Sequence, residues 1–256
     1  YQRVVTDLRF SKLYVVYTSL LGPANNQPYF TTRALDGALI TAPIRLVTNA
    51  ADVIRPVITV TGDLLAHIAY EDATSQAIYH EVRDDIGALV SASVIISDDV
   101  VYGLGTLSGV ASRPEILSAD NRQVYVTFLQ SKGTQTGLSY YTNGSGLMLD
   151  YRDPAEDILF YAVSLDSFMN SLHLTTSEAS RVNYFKVNRG VVIHAVELSS
   201  SLGGGFVANT LETFGSVLHV YSDEAPGTFT NNGAPQGVVA IGPTTVIGSM
   251  NNIALR

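Results

Sequence analysis

The chain has 256 residues, 46% of them hydrophobic and 15% charged, with a net charge of −8 and three lysines (Lys12, Lys132, Lys186). That much apolar material supports a buried core and excludes a disordered chain, while the lack of any basic tract excludes nucleic acid as a partner. No apolar run reaches the roughly 18 residues of a membrane helix, so membrane insertion is not expected, and the absence of cysteine excludes disulfides and thiolate chemistry.

The first phrase, RVVTDLRFSKLYVVY from Arg3 to Tyr17, alternates apolar and polar residues on either side of a polar turn, the period-two signature of a hairpin. A third strand is predicted at PYFTTR from Pro28 and a fourth at GALITAPIRLV from Gly37. The order then recurs with RPVITVTGDLLAHIAY (Arg55 to Tyr70), IYHEVR from Ile78 and GALVSASVII from Gly87. A third copy reads RPEILSADNRQVYVTF (Arg113 to Phe128), SYYTN from Ser139 and GLMLDY from Gly146. A fourth reads ILFYAVSLDSFMNSLHLTT (Ile158 to Thr176), NYFKVN from Asn183 and GVVIHAVEL from Gly190. The last is degenerate: FVANTLETFGSVLHVYS (Phe206 to Ser222), GTFTN from Gly227 and GVVAIGPTTVI from Gly237. Val15, Ile68, Val126, Leu174 and Val220 hold one place in the second strand of each copy, a period of about 50 residues. Only NAADVI (49–54) and DPAEDILFYAV (153–163) have a spacing that could hold a helical turn.

A four-stranded sheet hides neither of its faces alone, and radial stacking covers both while leaving short edges. Five copies therefore predict an all-β, five-bladed β-propeller with four antiparallel strands per blade. It would form a single domain over 1–256, with blades at about 1–49, 50–98, 99–152, 153–200 and 201–256. A β-solenoid or another repeat all-β fold is the alternative.

The turns between third and fourth strands carry a family resemblance. DIGALV (Asp85, Gly87, Val90), NRGVVI (Asn188, Gly190, Ile193) and LDGALI (Asp36, Gly37), with the Arg-Pro openings at Arg55 and Arg113, resemble the Asp-box repeats of sialidase-like and lectin-like propellers. Valine or isoleucine stands where that family places tryptophan. In such a turn Asp or Asn caps with its side chain, Gly takes the positive φ, and the apolar residue is expected to anchor the turn in its blade. The resemblance to sialidases implies a carboxylate held by three arginines, for which Arg3, Arg55 and Arg113 are the candidates because guanidinium forks match carboxylates. The competing reading is that these arginines brace blades against Asp and Glu. Five-bladed glycosidases place three acids on successive innermost strands, which makes Asp7 and Glu115 the catalytic candidates; the second copy, RPVITV, supplies no acid, so that trio is incomplete.

Tyr14, His67, Tyr125, His173 and His219 share one place in the second strand, and a ring layer filling space between blades is expected over a sugar-stacking surface. His80 and His194 fall on third and fourth strands. These five histidines come from different copies with no ligand spacing, so neither metal nor cofactor is expected. GLGTLSG (103–109) resembles a phosphate cradle but leads into a strand, so it reads as a connection. Function on a rigid scaffold concentrates in loops. The segments at 20–28 and 130–137 join second to third strands and 222–236 begins in the same way, so Asn25, Asn26 and the tip at Thr134 and Gln135 join the arginines as candidate binding residues. The expected function is a non-catalytic recognition module for a glycan or a protein. A structural subunit of a larger assembly, such as a virion or surface layer, and a glycoside hydrolase are the alternatives; a homo-oligomer is compatible with either of the first two. The first residue, Tyr1, suggests a processed chain or an excerpt, and the acidic, Asn/Thr/Ser/Gly-rich composition suggests an extracellular, cell-surface or virion location.

Overall fold

The computed structural model describes residues 2–7, 11–20, 26–46, 52–97, 110–119, 122–132, 135–143, 146–151, 157–158, 160–166, 171–177, 182–188, 191–200, 210–214, 217–221, 229–231 and 238–241. The first sheet comprises β1 (Gln2–Asp7), β2 (Lys12–Leu20), β3 (Asn26–Ala34) and β4 (Leu39–Arg45), and the second comprises β5 (Val53–Val60), β6 (Ala66–Asp72), β7 (Ala77–Arg83) and β8 (Leu89–Ile95). The third holds β9 (Ala111–Ser118), β10 (Val124–Lys132), β11 (Gln135–Thr142) and β12 (Gly146–Tyr151). In each of the three, strands lie side by side in chain order. The fourth sheet adds β13 (Phe160–Asp166), β14 (Ser171–Ser177), β15 (Val182–Asn188) and β16 (Val191–Ser200). Then come β17 (Thr210–Phe214), β18 (Val217–Tyr221), β19 (Phe229–Asn231) and β20 (Val238–Ile241).

The chain divides into two compact units, one holding Tyr1–Thr134 and Ser139–Asp150, the other Gln135–Leu138 and Tyr151–Arg256. In the first unit consecutive sheets stack face to face, with β5 against β1, β2 and β3, and β9 against β5, β6 and β7. Two apolar layers result. Tyr14, Val16, Phe30 and Leu46 meet Val53, Ile58, Ile68 and Tyr70 in one, while Val57, Ala69 and Ile78 meet Ile116, Val126 and Phe128 in the other. Every residue of β6 is buried because both its faces are covered, whereas β8 at the sheet's outer edge is largely exposed. In the second unit β17 packs on β13 and β14.

The repeat register is visible in strand pairing. Val15, Ile68, Val126, Leu174 and Val220 pair with Val4, Ile58, Ile116, Val163 and Leu211 of their respective first strands. The fifth copy departs from the four-strand order. Its sheet runs β17-β18-β20 with β18 and β20 parallel, and β19 pairs instead with the outer edge of β16. Of the degenerate GTFTN segment the structure describes Phe229–Asn231 as strand. Of the two stretches with helical spacing, residues 49–51, 153–156 and 159 lie outside the described residues; Val53 opens β5, Phe160 opens β13, and the described residues contain no α-helix.

The turns after β3 and β7 are built alike. Gly37 donates to the Ala34 carbonyl and Gly87 to that of Asp84, both glycines at φ +88. Asp36 Oδ1 accepts from the Ala38 N–H, and Asp84 Oδ1 from the N–H groups of Ile86 and Ala88. The cap in the second copy is therefore Asp84, not the expected Asp85, whose carboxylate reaches the Lys12 Nζ of the first sheet at 2.6 Å. The apolar anchor is also absent, since Ile40 and Val90 are 46% and 54% exposed. An arginine clamps the turn in its place: Arg33 and Arg83 donate to the Gly37 and Gly87 carbonyls at 2.9 and 2.8 Å. A Cβ on Gly87 would overlap Ile44 Cδ1 of the first sheet, while one on Gly37 would meet open space. Thermal unfolding should therefore separate the two alanine variants, with Gly37→Ala costing about 1 kcal/mol for the left-handed backbone and Gly87→Ala about 2–3 kcal/mol because Ile44 must also move. Equal losses would mean that this inter-sheet contact contributes nothing.

Candidate functional site

The Arg-Pro segments occupy matching places. Pairing runs from Ile54↔Glu71 to Val57↔Ala69, so Arg55 and Pro56 together face Tyr70; it runs from Ser112↔Leu129 to Glu115↔Thr127, so Arg113 and Pro114 face Phe128. Each is a β-bulge whose first residue is left-handed, with φ 48 at Arg55 and 55 at Arg113. A bulge suits proline, which has no N–H for the ladder, and the strain of a non-glycine residue at positive φ must be held by its surroundings. Buried Glu71 does that. Its Oε2 accepts from the Arg55 guanidinium and from the Arg113 N–H, each at 2.9 Å, so one carboxylate ties both bulges together.

Arg3 is not the third member of that set. It pairs with Val16, which puts it in the column of Val57 and Glu115, two residues beyond the bulged arginines. Its guanidinium meets the Glu115 carboxylate at 2.7 Å with both side chains partly exposed. The surrounding protein pushes the Glu115 carboxyl above its ordinary range by desolvation, and Arg3 opposes that shift. Asp7, buried near the far end of β1, lies four residues from Arg3, about 13 Å along a strand. Their columns are thus further apart than the roughly 5–9.5 Å that separate the two carboxyls of glycosidases.

Of the loop candidates, Asn25 and Thr134 lie outside the described residues, as do 103–109. Asn26 opens β3 with its backbone N–H and side-chain amide both donating to Asp52 Oδ1 at 2.9 Å. The start of β11 repeats this, with the Thr136 N–H donating to Asp157 Oδ1 at 2.6 Å. The two stretches with helical spacing each supply one of these aspartates.

Four of the five members of the ring column, Tyr14, His67, Tyr125 and His173, are buried, and the His219 side chain lies outside what the structure describes. Tyr14 tilts against Phe30, Tyr125 against Tyr140, and His67 stacks on His80. His67 Nδ1 and His80 Nε2 lie 3.2 Å apart and share a hydrogen bond. Desolvation lowers His67 to about 4, partly opposed by the Asp63 carboxylate, and lowers His80 to about 3, with His67 adding to the shift. Among the described residues no group of three potential metal ligands comes together. Sequence reading missed Glu71 and the histidine pair because each depends on strand register. The repeated Arg-x-x-x-Gly-Ala-Leu of 33–39 and 83–89 was the available signal for the turn clamp.

No family model and no curated protein matches the chain. Among solved structures it is similar to a candidate exo-beta-1,3-galactanase from Bifidobacterium bifidum s17, with a TM-score of 0.43 and 9% identity over 91% of this chain and 90% of that one.

Proposed function

We propose that this chain is a non-catalytic recognition module, a rigid stack of repeat sheets closing as a five-bladed ring related to the Asp-box propellers, that binds a glycan or a protein through its loops outside the cell or on a virion. One observation carries the reading: two acids on and beside the first strands, Glu115 and Glu71, are committed as braces. Glu115 is held by Arg3, and Glu71 by Arg55 and the Arg113 N–H. A carboxylate spent on a neighbouring cation stiffens a scaffold and is a poor free proton carrier. Binding on a glycan array together with no release from chromogenic glycosides is the expected result, unchanged in Glu115→Gln, which keeps an acceptor for Arg3. Hydrolysis by the wild type that vanishes in Glu115→Gln would establish a glycosidase instead. A structural role is the second reading, favoured by the exposed Leu39, Ile40, Leu89, Val90 and Val94 of β4 and β8, since apolar surface of this kind marks protein contacts.

A further inference from the structure

The outer strand of the second sheet reads LVSASVI from Leu89 to Ile95. In an antiparallel pairing about Ala92 it matches itself: Leu89 with Ile95, Val90 with Val94, Ser91 with Ser93. We propose that β8 is a self-complementary edge through which two copies of this chain join their second sheets across a two-fold axis at Ala92, an interface separate from any ligand-binding loop.

The first sheet supplies an internal comparison. β4 reads LITAPIR and carries the same two register shifts against β3 that β8 carries against β7, so these bulges belong to the module design and guard neither edge in particular. The two strands differ in edge protection. β4 has Pro43 where β8 has Ser93, and Arg45 where β8 has Ile95; a proline removes an outward donor and a charge is costly to bury, the usual ways of keeping an edge bare. β8 has neither and exposes Leu89, Val90 and Val94 at 55%, 54% and 46%. The fourth sheet shows that an outer edge of this kind accepts a strand, because β19 pairs antiparallel with β16 from Leu198↔Asn231 to Ser200↔Phe229. Charge also selects the occupant. The chain carries −8 overall, so most of its surfaces repel a second copy, whereas β8 brings no charge to the contact.

The lack of native cysteine makes the geometry directly testable. Residues paired across antiparallel strands have Cα atoms about 4.5–5.5 Å apart, inside the disulfide range of about 4.4–6.8 Å. Two Ser91 residues would sit about 8 Å apart, offset by two residues along the strands. For the 256-residue chain we expect the mass by sedimentation to rise with concentration from 27.5 kDa towards twice that value. Under mild oxidation Ala92→Cys should form the covalent dimer at least tenfold faster than Ser91→Cys or Ala42→Cys. Ala92→Lys, which sets two cations on the axis, should weaken association at least tenfold with an unchanged circular dichroism spectrum. A mass independent of concentration, equal crosslinking of Ala92→Cys and Ser91→Cys, or a dimer that survives Ala92→Lys would each overturn the proposal.

Discussion

Glu71→Ala is expected to lower stability by about 3 kcal/mol, a fall of roughly 5–10 °C in melting temperature for a chain of this size. Removing the carboxylate strands the Arg113 N–H, loses a charge-assisted hydrogen bond and empties space beside two bulges whose first residues are left-handed arginines. The Arg55 ion pair itself adds little, because that guanidinium is 39% exposed and screened by solvent. Arg55→Ala should therefore cost under about 1 kcal/mol, and Glu71→Gln, which keeps an acceptor, about 1 kcal/mol. Equal losses from Glu71→Ala and Arg55→Ala would show that the guanidinium, not the link between bulges, is what matters.

Acid should weaken the fold through the histidine pair between pH 6.5 and 4, His67 alone contributing about 3 kcal/mol. The sign follows from the direction of the shift. Burial holds His67 neutral in the folded state down to about 4, while the unfolded chain takes up its proton near 6.5, so in that window the unfolded state binds more protons and stability falls as pH falls. His80, lowered still further, acts in the same direction. Asp63 and the Tyr141 ring are the other groups facing the pair. Glu81 and Glu115 oppose the trend, since burial raises both carboxyls and makes the folded state the better proton acceptor there. Comparing wild type with His67→Gln/His80→Gln, which hydrogen-bond without titrating, isolates the pair: the wild-type slope of melting temperature from pH 7 to 4.5 should be the steeper. Parallel slopes would rule out the histidines as the source.

Strand order in the first four copies and the repeat register in all five were legible because alternation and turn residues are local: the five aligned second-strand residues all pair with their own first strands. The bulges were half legible, as Arg-Pro marked their places but nothing in one strand shows which residue opposes it. The misplacement of Arg3 has the same cause. Counting from the Arg itself aligns it with Arg55 and Arg113, whereas a bulge adds one residue to the later copies and the first hairpin's connection is one residue longer than theirs, so the register puts Arg3 with Val57 and Glu115. Asp85 precedes Gly87 at the distance expected of a turn cap, yet the neighbouring sheet offers it Lys12, leaving Asp84 to close the turn. Glu71 and the His67–His80 contact were not legible at all, since each joins residues whose proximity is created only by stacking and pairing.

The aspartates that cap β3 and β11 come from just ahead of the following module. A fragment cut at the apparent repeat boundary near residue 49 would leave the Asn26 amide facing nothing, and one cut near 152 would do the same to Thr136. During synthesis the first and third layers are thus finished by residues that leave the ribosome only with the successor of each, and useful truncations should end after Asp52 or Asp157, not before them.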